Sequence, residues 1–421
     1  MTHTATLRPQ SAFFTHTLPC GLRIICHQCP AQVVYCGLTV DAGTRDERDS
    51  ESGMAHFTEH MSFKGTSRLT PRQVSARMES VGADLNAYTG KEETVYYTTL
   101  LPQHLGRAIR LLVDMVMHST FPQEEMTREA EVVADEIESY NDQPAELVYD
   151  EMESLTFAGH PLGRNILGSI ERLRTFGTAH MQTYHQRMYR PERMVLYVLG
   201  QVDPTQVVRL AEKAIDDYGL PEAGEQPDPR TAPLLVLPQQ PVVTRDKDTH
   251  QAHVLLGAPA YAATDPRHTA LFMLSNLLGG PCMTSRLNVA LRERNGLVYT
   301  VESNSVCYTD TGLWSIYFGC DPCDVKRCLA IVRRQLDRLC QAPLSPRALE
   351  AAKTQLKGQI AVAQDNFEST AIGMAKRYLH YGTTRTMQDT FRLLDGITAQ
   401  QLLSTAQEVF APERMLTLIY R

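Results

Sequence analysis

The feature that most constrains the fold is a long repeat. Pro191-Glu192-Arg193-Met194 precedes the strand-like VLYVLG, and Pro412-Glu413-Arg414-Met415 precedes LTLIYR, 221 residues later. The same offset brings the strand-like stretch 94–101 onto 315–321 and its surroundings. It also brings the helical pattern 104–118 onto 325–339, and a helix opening near Glu124 onto one opening near Ser345. A shared order of elements at one period marks a duplication. A chain of 421 residues is also too long for a single core, so two domains are expected. The proline-rich stretch 219–241 reads as a linker between domains at 1–218 and 242–421. Strand-like segments at 23–27, 33–40, 83–89 and 95–101 are interspersed with long helical patterns. The fold class expected is α+β, two duplicated domains, each an antiparallel sheet covered by helices on one side.

The first copy carries chemistry that the second lacks. His56, Glu59 and His60 stand in the order H-x-x-E-H, the reverse of the commoner H-E-x-x-H. On a helix, positions i and i+4 share a face, so both histidines can bind one metal ion. Glu59 is placed to act as a general base on a water at the open side of that metal. A hydrolytic zinc site takes three protein ligands and keeps one position open. The third ligand must therefore come from elsewhere, and the acidic segment REAEVVADEIE (128–138) is the candidate. Val132, Val133 and Ile137 give it an apolar helical stripe. Glu129 and Glu136 lie seven residues apart, two turns, on one face. One could bind metal while the other supports the site, and periodicity does not say which. At the repeat offset, His56, Glu59, His60 and Glu136 fall on Leu277, Gly280, Pro281 and Lys357, so the second copy has no such site.

HFTEHMSFKGT (56–66), GADLNAYTGKEETVYY (82–97) and the Glu129/Glu136 pair together resemble the pitrilysin family of zinc metallopeptidases. The similarity is greatest to the processing-peptidase branch, which includes the mitochondrial processing peptidase beta subunit and its bacterial relatives, and it extends over nearly the whole chain. The resemblance implies one Zn2+ per chain, held by His56, His60 and Glu136, with Glu59 as base and Glu129 as the supporting glutamate. It implies that Arg292 and Tyr299, in SRLNVALRERNGLVYTV (285–301), bind substrate and stabilise the tetrahedral intermediate. The segment itself reads as a helix through Arg294, a break at Asn295-Gly296, then a strand. The resemblance makes 84–89 an edge strand beside the metal, where an extended peptide adds by backbone hydrogen bonds at Asn86 and Ala87. Glu92 is given a structural role. The chain would form one half of a clamshell. It would pair as a homodimer, or as a heterodimer with a related chain, so that Arg292 and Tyr299 serve the partner's zinc. The activity implied is endopeptidase cleavage of short or unfolded peptides in an enclosed chamber. The alternative is a non-catalytic peptide-binding or structural subunit.

Composition narrows the remaining classes. A net charge of −7 argues against a nucleic-acid partner. No apolar run of about 18 residues predicts a membrane span. The first residues lack the pattern of a secretory signal, so the cytoplasm is expected, with an organellar matrix as the alternative. Ten cysteines are then expected to stay reduced. Cys320 and Cys323 form one C-x-x-C without a matching second pair, and free thiols at a strand end are the expected reading.

Overall fold

The computed structural model describes residues 13–221, 224–233 and 241–421, so the expected linker lies partly outside the described residues. Strands β1 (Phe14–Thr17), β2 (Arg23–Gln28), β3 (Val34–Val40), β4 (Asp84–Thr89), β5 (Thr94–Leu100) and β6 (Met194–Gly200) form one sheet in the order β1-β2-β6-β3-β5-β4. Strands β7 (Val242–Arg245), β8 (Ala252–Ala260), β9 (Val298–Cys307), β10 (Gly312–Cys320) and β11 (Leu416–Tyr420) form the other, in the order β7-β11-β8-β10-β9. Without β1 the two orders coincide, strand for strand, as a duplication requires. Each sheet is antiparallel except for one parallel pair, β2 with β6 and β7 with β11. That pair arises because the last strand of each half inserts beside β2 in one sheet and β7 in the other.

The chain forms two compact units that interleave along the sequence. One takes the described residues up to 133 together with 166–228 and 364–384, and the other takes 134–165, 229–363 and 385–421. Five helices of the first half matter here: α1 (Met54–Ser62), α2 (Pro71–Glu79), α3 (Leu105–Met117), α4 (Gln123–Asn141) and α5 (Pro144–Thr156). The division in space falls inside α4, which runs unbroken through it.

In the first unit α3 packs on β3 and β5. The helix Phe367–Tyr381, from the second half of the sequence, packs on β3 and β6. Its Ala371, Met374, Ala375 and Leu379 meet Val195, Tyr197 and Leu199, the alternate residues of β6. Every residue of β6 is buried. In the second unit α5 does the corresponding work. Its Val148 and Met152 pack with Leu255, Leu418 and Tyr420, while Val254 and Leu256 of β8 join Trp314, Ile316 and Phe318 in a core on the other face. Helices thus cover both faces of each sheet, where one face was expected. Each half lends one helix to the other's sheet, and no local pattern records that exchange.

Candidate metal centre

Helix α1 is short and almost wholly inside the protein. Of Met54–Ser62 only His60 is not buried. Its first turn is held by Glu47, itself buried, whose carboxylate accepts from the backbone N–H groups of Gly53 at 3.2 Å and Ala55 at 2.8 Å. A carboxylate there satisfies free helix donors and complements the positive end of the dipole. Gly53 enters the helix at φ +90°, and Gly168 (φ +70°) comes so close that a Cβ on it would lie 2.7 Å from the Gly53 Cα. Both positions require glycine. The mouth of α1 is therefore fixed by backbone contact, before any side chain of the site is placed.

On α1 the His56 and His60 rings lie 4.6 Å apart, centre to centre. The Nδ1 of His60 donates to the Glu129 Oε1 at 2.9 Å, and Lys64 Nζ contacts Glu129 Oε2 at 2.5 Å. With Nδ1 carrying the proton toward the carboxylate, Nε2 keeps a lone pair that could bind a metal. Burial raises the Glu129 carboxyl, but the hydrogen bonds from His60 and Lys64 outweigh it and hold the group below the usual carboxylate range. Two turns further along the same helix, Glu136 completes a group of three. One ligand atom each from His56, His60 and Glu136 lies within 4.8 Å of the others. Donors on a tetrahedral zinc stand about 3.4 Å apart, so small side-chain rotations close this set on an ion. Two imidazoles and a carboxylate are a zinc donor set that keeps a fourth position open. Among the described residues it is the only such group of three. Glu59, 8% exposed, accepts a hydrogen bond at 2.8 Å from the hydroxyl of Thr89, the last residue of β4.

The other expected residues have these places. β4 is the edge strand of its sheet, with Asn86 exposed and Ala87 half-buried, opposite Tyr97 and Tyr96 of β5. Glu92 is buried in an ion pair with Arg45 at 2.7 Å. Arg292 and Tyr299 are both exposed in the second unit, the guanidinium 5.6 Å from the ring centre. The helix that carries Arg292 departs from expectation. Asn288–Glu293 is a π-helix, with Arg294 N–H bonded to the Val289 carbonyl at 3.1 Å. Such wide turns recur at functional sites. Cys320 ends β10 and all ten cysteines are free thiols. Val132, placed in the apolar stripe of α4, is instead 51% exposed. Glu47, Lys64 and Thr89 were not singled out from the sequence. Glu47 sits in the acid-rich run DERDSES, where no spacing marks one carboxylate as a cap. Thr89 acts across 30 residues, beyond any local pattern.

Residues 23–170 match the family described as Insulinase (Peptidase family M16), and residues 176–356 match Peptidase M16 inactive domain. The "Uncharacterized zinc protease YmxG" of Bacillus subtilis (strain 168) is 32% identical over 96% of this chain and 97% of its own length. The chain belongs to peptidase family M16. This is the pitrilysin/insulinase family that the motifs resemble. The first M16 match covers His56, Glu59, His60, Glu129 and Glu136, and the second covers Arg292 and Tyr299. The "Uncharacterized zinc protease SCO5738" of Streptomyces coelicolor is 31% identical over 96% of this chain and 88% of its own. Among solved structures, a protease from Helicobacter pylori has the same fold, with a TM-score of 0.88 at 21% identity over 97% of this chain and 99% of that one. Among the described residues, no helix is long and apolar enough to cross a membrane.

Proposed function

We propose that this M16 chain is a zinc-dependent endopeptidase acting on short or unfolded peptides in an enclosed chamber. The observation that carries the reading is the convergence on α1 of three ligand atoms, a supported His60 and a buried Glu59 aimed by Thr89. His56, His60 and Glu136 would hold one zinc ion. Bound zinc supplies Lewis acidity and makes water acidic enough to react at neutral pH. Glu59 takes the proton of the attacking water and later delivers it to the leaving amine. The open edge of β4 binds the peptide as an added strand, with Asn86 and Ala87 against it. Arg292 and Tyr299 donate to the oxygen that gains negative charge.

The zinc-bearing and oxyanion-stabilising roles thus fall to different halves of the sequence, 1–218 and 242–421. We place the two together across a homodimer, each chain's Arg292 and Tyr299 serving its partner's zinc. The similar zinc proteases of Bacillus subtilis and Streptomyces coelicolor support the reaction class. Ten unpaired thiols support a reducing compartment, the cytoplasm.

The test is Glu59→Gln, with bound zinc quantified alongside cleavage of a mixed quenched-fluorescence peptide library. Zinc in both proteins with turnover only in the wild type is the expected result. Near wild-type cleavage by Glu59→Gln would refute the role of the base. Zinc in both with turnover in neither would refute an active homodimer.

A further inference from the structure

We propose that the first unit carries a separate anion site, formed by Arg68, Arg77, Arg107 and Arg110, that takes a diphosphate-like ligand. The four arginines come from three elements. Arg68 follows α1, Arg77 lies on α2, and Arg107 and Arg110 lie on one face of α3. They line one cavity of about 310 Å³ with Tyr218 and Asp217. None of the six is a zinc ligand or a part of the peptide-binding edge.

What holds these side chains is as informative as their number. Arg68 donates to the Asp217 carbonyl at 2.7 Å and stacks on the Tyr218 ring at 4.4 Å. Arg107 donates to the Arg77 carbonyl at 3.3 Å and the Ser80 hydroxyl at 3.1 Å, and Arg110 to the Gly106 carbonyl at 3.1 Å. These anchors are neutral oxygens and a ring. Among the described residues, none of the four makes an ion pair with a carboxylate. Each guanidinium has five N–H donors, and at most two are engaged. One carboxylate, Asp217, lines the cavity against four cations. Asp114 is in electrostatic reach of Arg68 and Arg77, but burial pushes its carboxyl up, toward the neutral form.

Like charges gathered in one concavity repel, and the chain as a whole carries a net charge of −7, so general basicity does not account for the cluster. A polyvalent oxyanion relieves that repulsion. Guanidinium forks meet phosphoryl oxygens in pairs, and several forks around one cavity favour two linked phosphoryl groups over one. The concave shape fits a small free anion better than a lipid surface.

The test is calorimetric titration of the full chain with inorganic pyrophosphate at physiological ionic strength. Saturable one-to-one binding is expected, with orthophosphate weaker by about tenfold. Arg77→Gln, which has no internal side-chain bond to lose, should weaken pyrophosphate by about tenfold, as should Arg110→Gln. Arg72→Gln, on the same helix but outside the cavity, should leave binding unchanged. The proposal is overturned by absence of saturable binding, by wild-type affinity in both cavity variants, or by orthophosphate binding as tightly as pyrophosphate. Capture on phosphatidylglycerol vesicles that pyrophosphate does not displace would also overturn it, in favour of a membrane surface. Peptidase activity plays no part in the readout, so this site and the zinc site stand or fall separately.

Discussion

Glu129 gives the sharpest quantitative test of the metal centre, because it has one acceptor group and two donors. Its carboxylate is 6% exposed and takes His60 Nδ1 at 2.9 Å and Lys64 Nζ at 2.5 Å. In Glu129→Gln the shape is kept but one oxygen becomes an NH2. The amide oxygen can face His60 or Lys64, and its NH2 then faces a second donor. One half-buried donor is left unmatched, which costs about 1 kcal/mol, the low end of the range for a buried one. If the oxygen stays on His60, the imidazole still loses the charge that makes Nε2 a better ligand. Losing such an outer partner weakens metal affinity by roughly 10–100-fold, or about 1.4–2.7 kcal/mol. Lys64 has the opposite influence, since its ammonium draws charge from the carboxylate that supports His60. Lys64→Met should therefore leave zinc affinity unchanged or tighten it by about threefold. Both values come from competition with a chromophoric chelator, with urea melts of the metal-free proteins to separate site effects from folding. Zinc binding by Glu129→Gln within twofold of wild type (about 0.4 kcal/mol) would refute the argument. So would an equal loss in Lys64→Met.

Three other outcomes are expected. Thr89→Val removes the hydroxyl that aims Glu59, and steady-state kinetics should give a kcat about tenfold lower with KM and zinc content unchanged, restored by Thr89→Ser. An equal loss in Thr89→Ser would show that the hydroxyl is not the cause. Mixing Glu59→Gln chains with Tyr299→Phe chains should regain about a quarter of wild-type activity, because half the dimers are mixed and each then holds one intact site. No recovery after subunit exchange would place both residues in one chain's site. Glu93 is buried, where desolvation raises its carboxyl, but the bond from His380 at 2.9 Å and the Lys376 ammonium bring it down to about 2 from 4.5. A depressed carboxyl contributes stability that is full above pH 4.5 and lost as pH falls toward 2, worth roughly 3 kcal/mol. Urea melts of Glu93→Gln should show that deficit at pH 7 and a smaller one at pH 3.5, and a deficit independent of pH would contradict the assignment.

Much of the candidate metal site was legible in the sequence because helix geometry is local. The i, i+4 spacing of His56 and His60 fixes a shared face whatever surrounds it. The seven-residue spacing of Glu129 and Glu136 put both on one face and left their roles open. The structure separates them by distance, since Glu129 bonds to the back of His60 and Glu136 joins the ligand atoms. The strands were legible too, because alternation and β-branched residues mark them, and β3, β4 and β5 begin within one residue of expectation. What stayed hidden depends on residues far apart in sequence. Thr89 reaching Glu59, Glu47 capping α1, and the helix Phe367–Tyr381 covering β6 are products of packing. The π-turn at Asn288–Glu293 was hidden for another reason, as its composition is that of an ordinary helix.

The second copy differs from the first in more than the loss of the candidate ligands. In the first unit α1 stands beside edge strand β4, with room between them for the Glu59 carboxylate and the Thr89 hydroxyl. In the second unit the helix His268–Gly279 stands beside edge strand β9 in the same topological position. There the backbones close up. A Cβ on Gly279 would lie 2.5 Å from the Ser303 nitrogen and 2.8 Å from the Glu302 carbonyl carbon. Real side chains do not fit at such distances. The position of the third ligand is likewise taken, as Lys357 pairs with Asp395. At the repeat offset Leu277 lies in the last turn of that helix while Gly280 and Pro281 lie past its end, so histidines written at 277 and 281 would not share one helical face. The helix would also have to move away from β9, and the contacts buried between them oppose that movement.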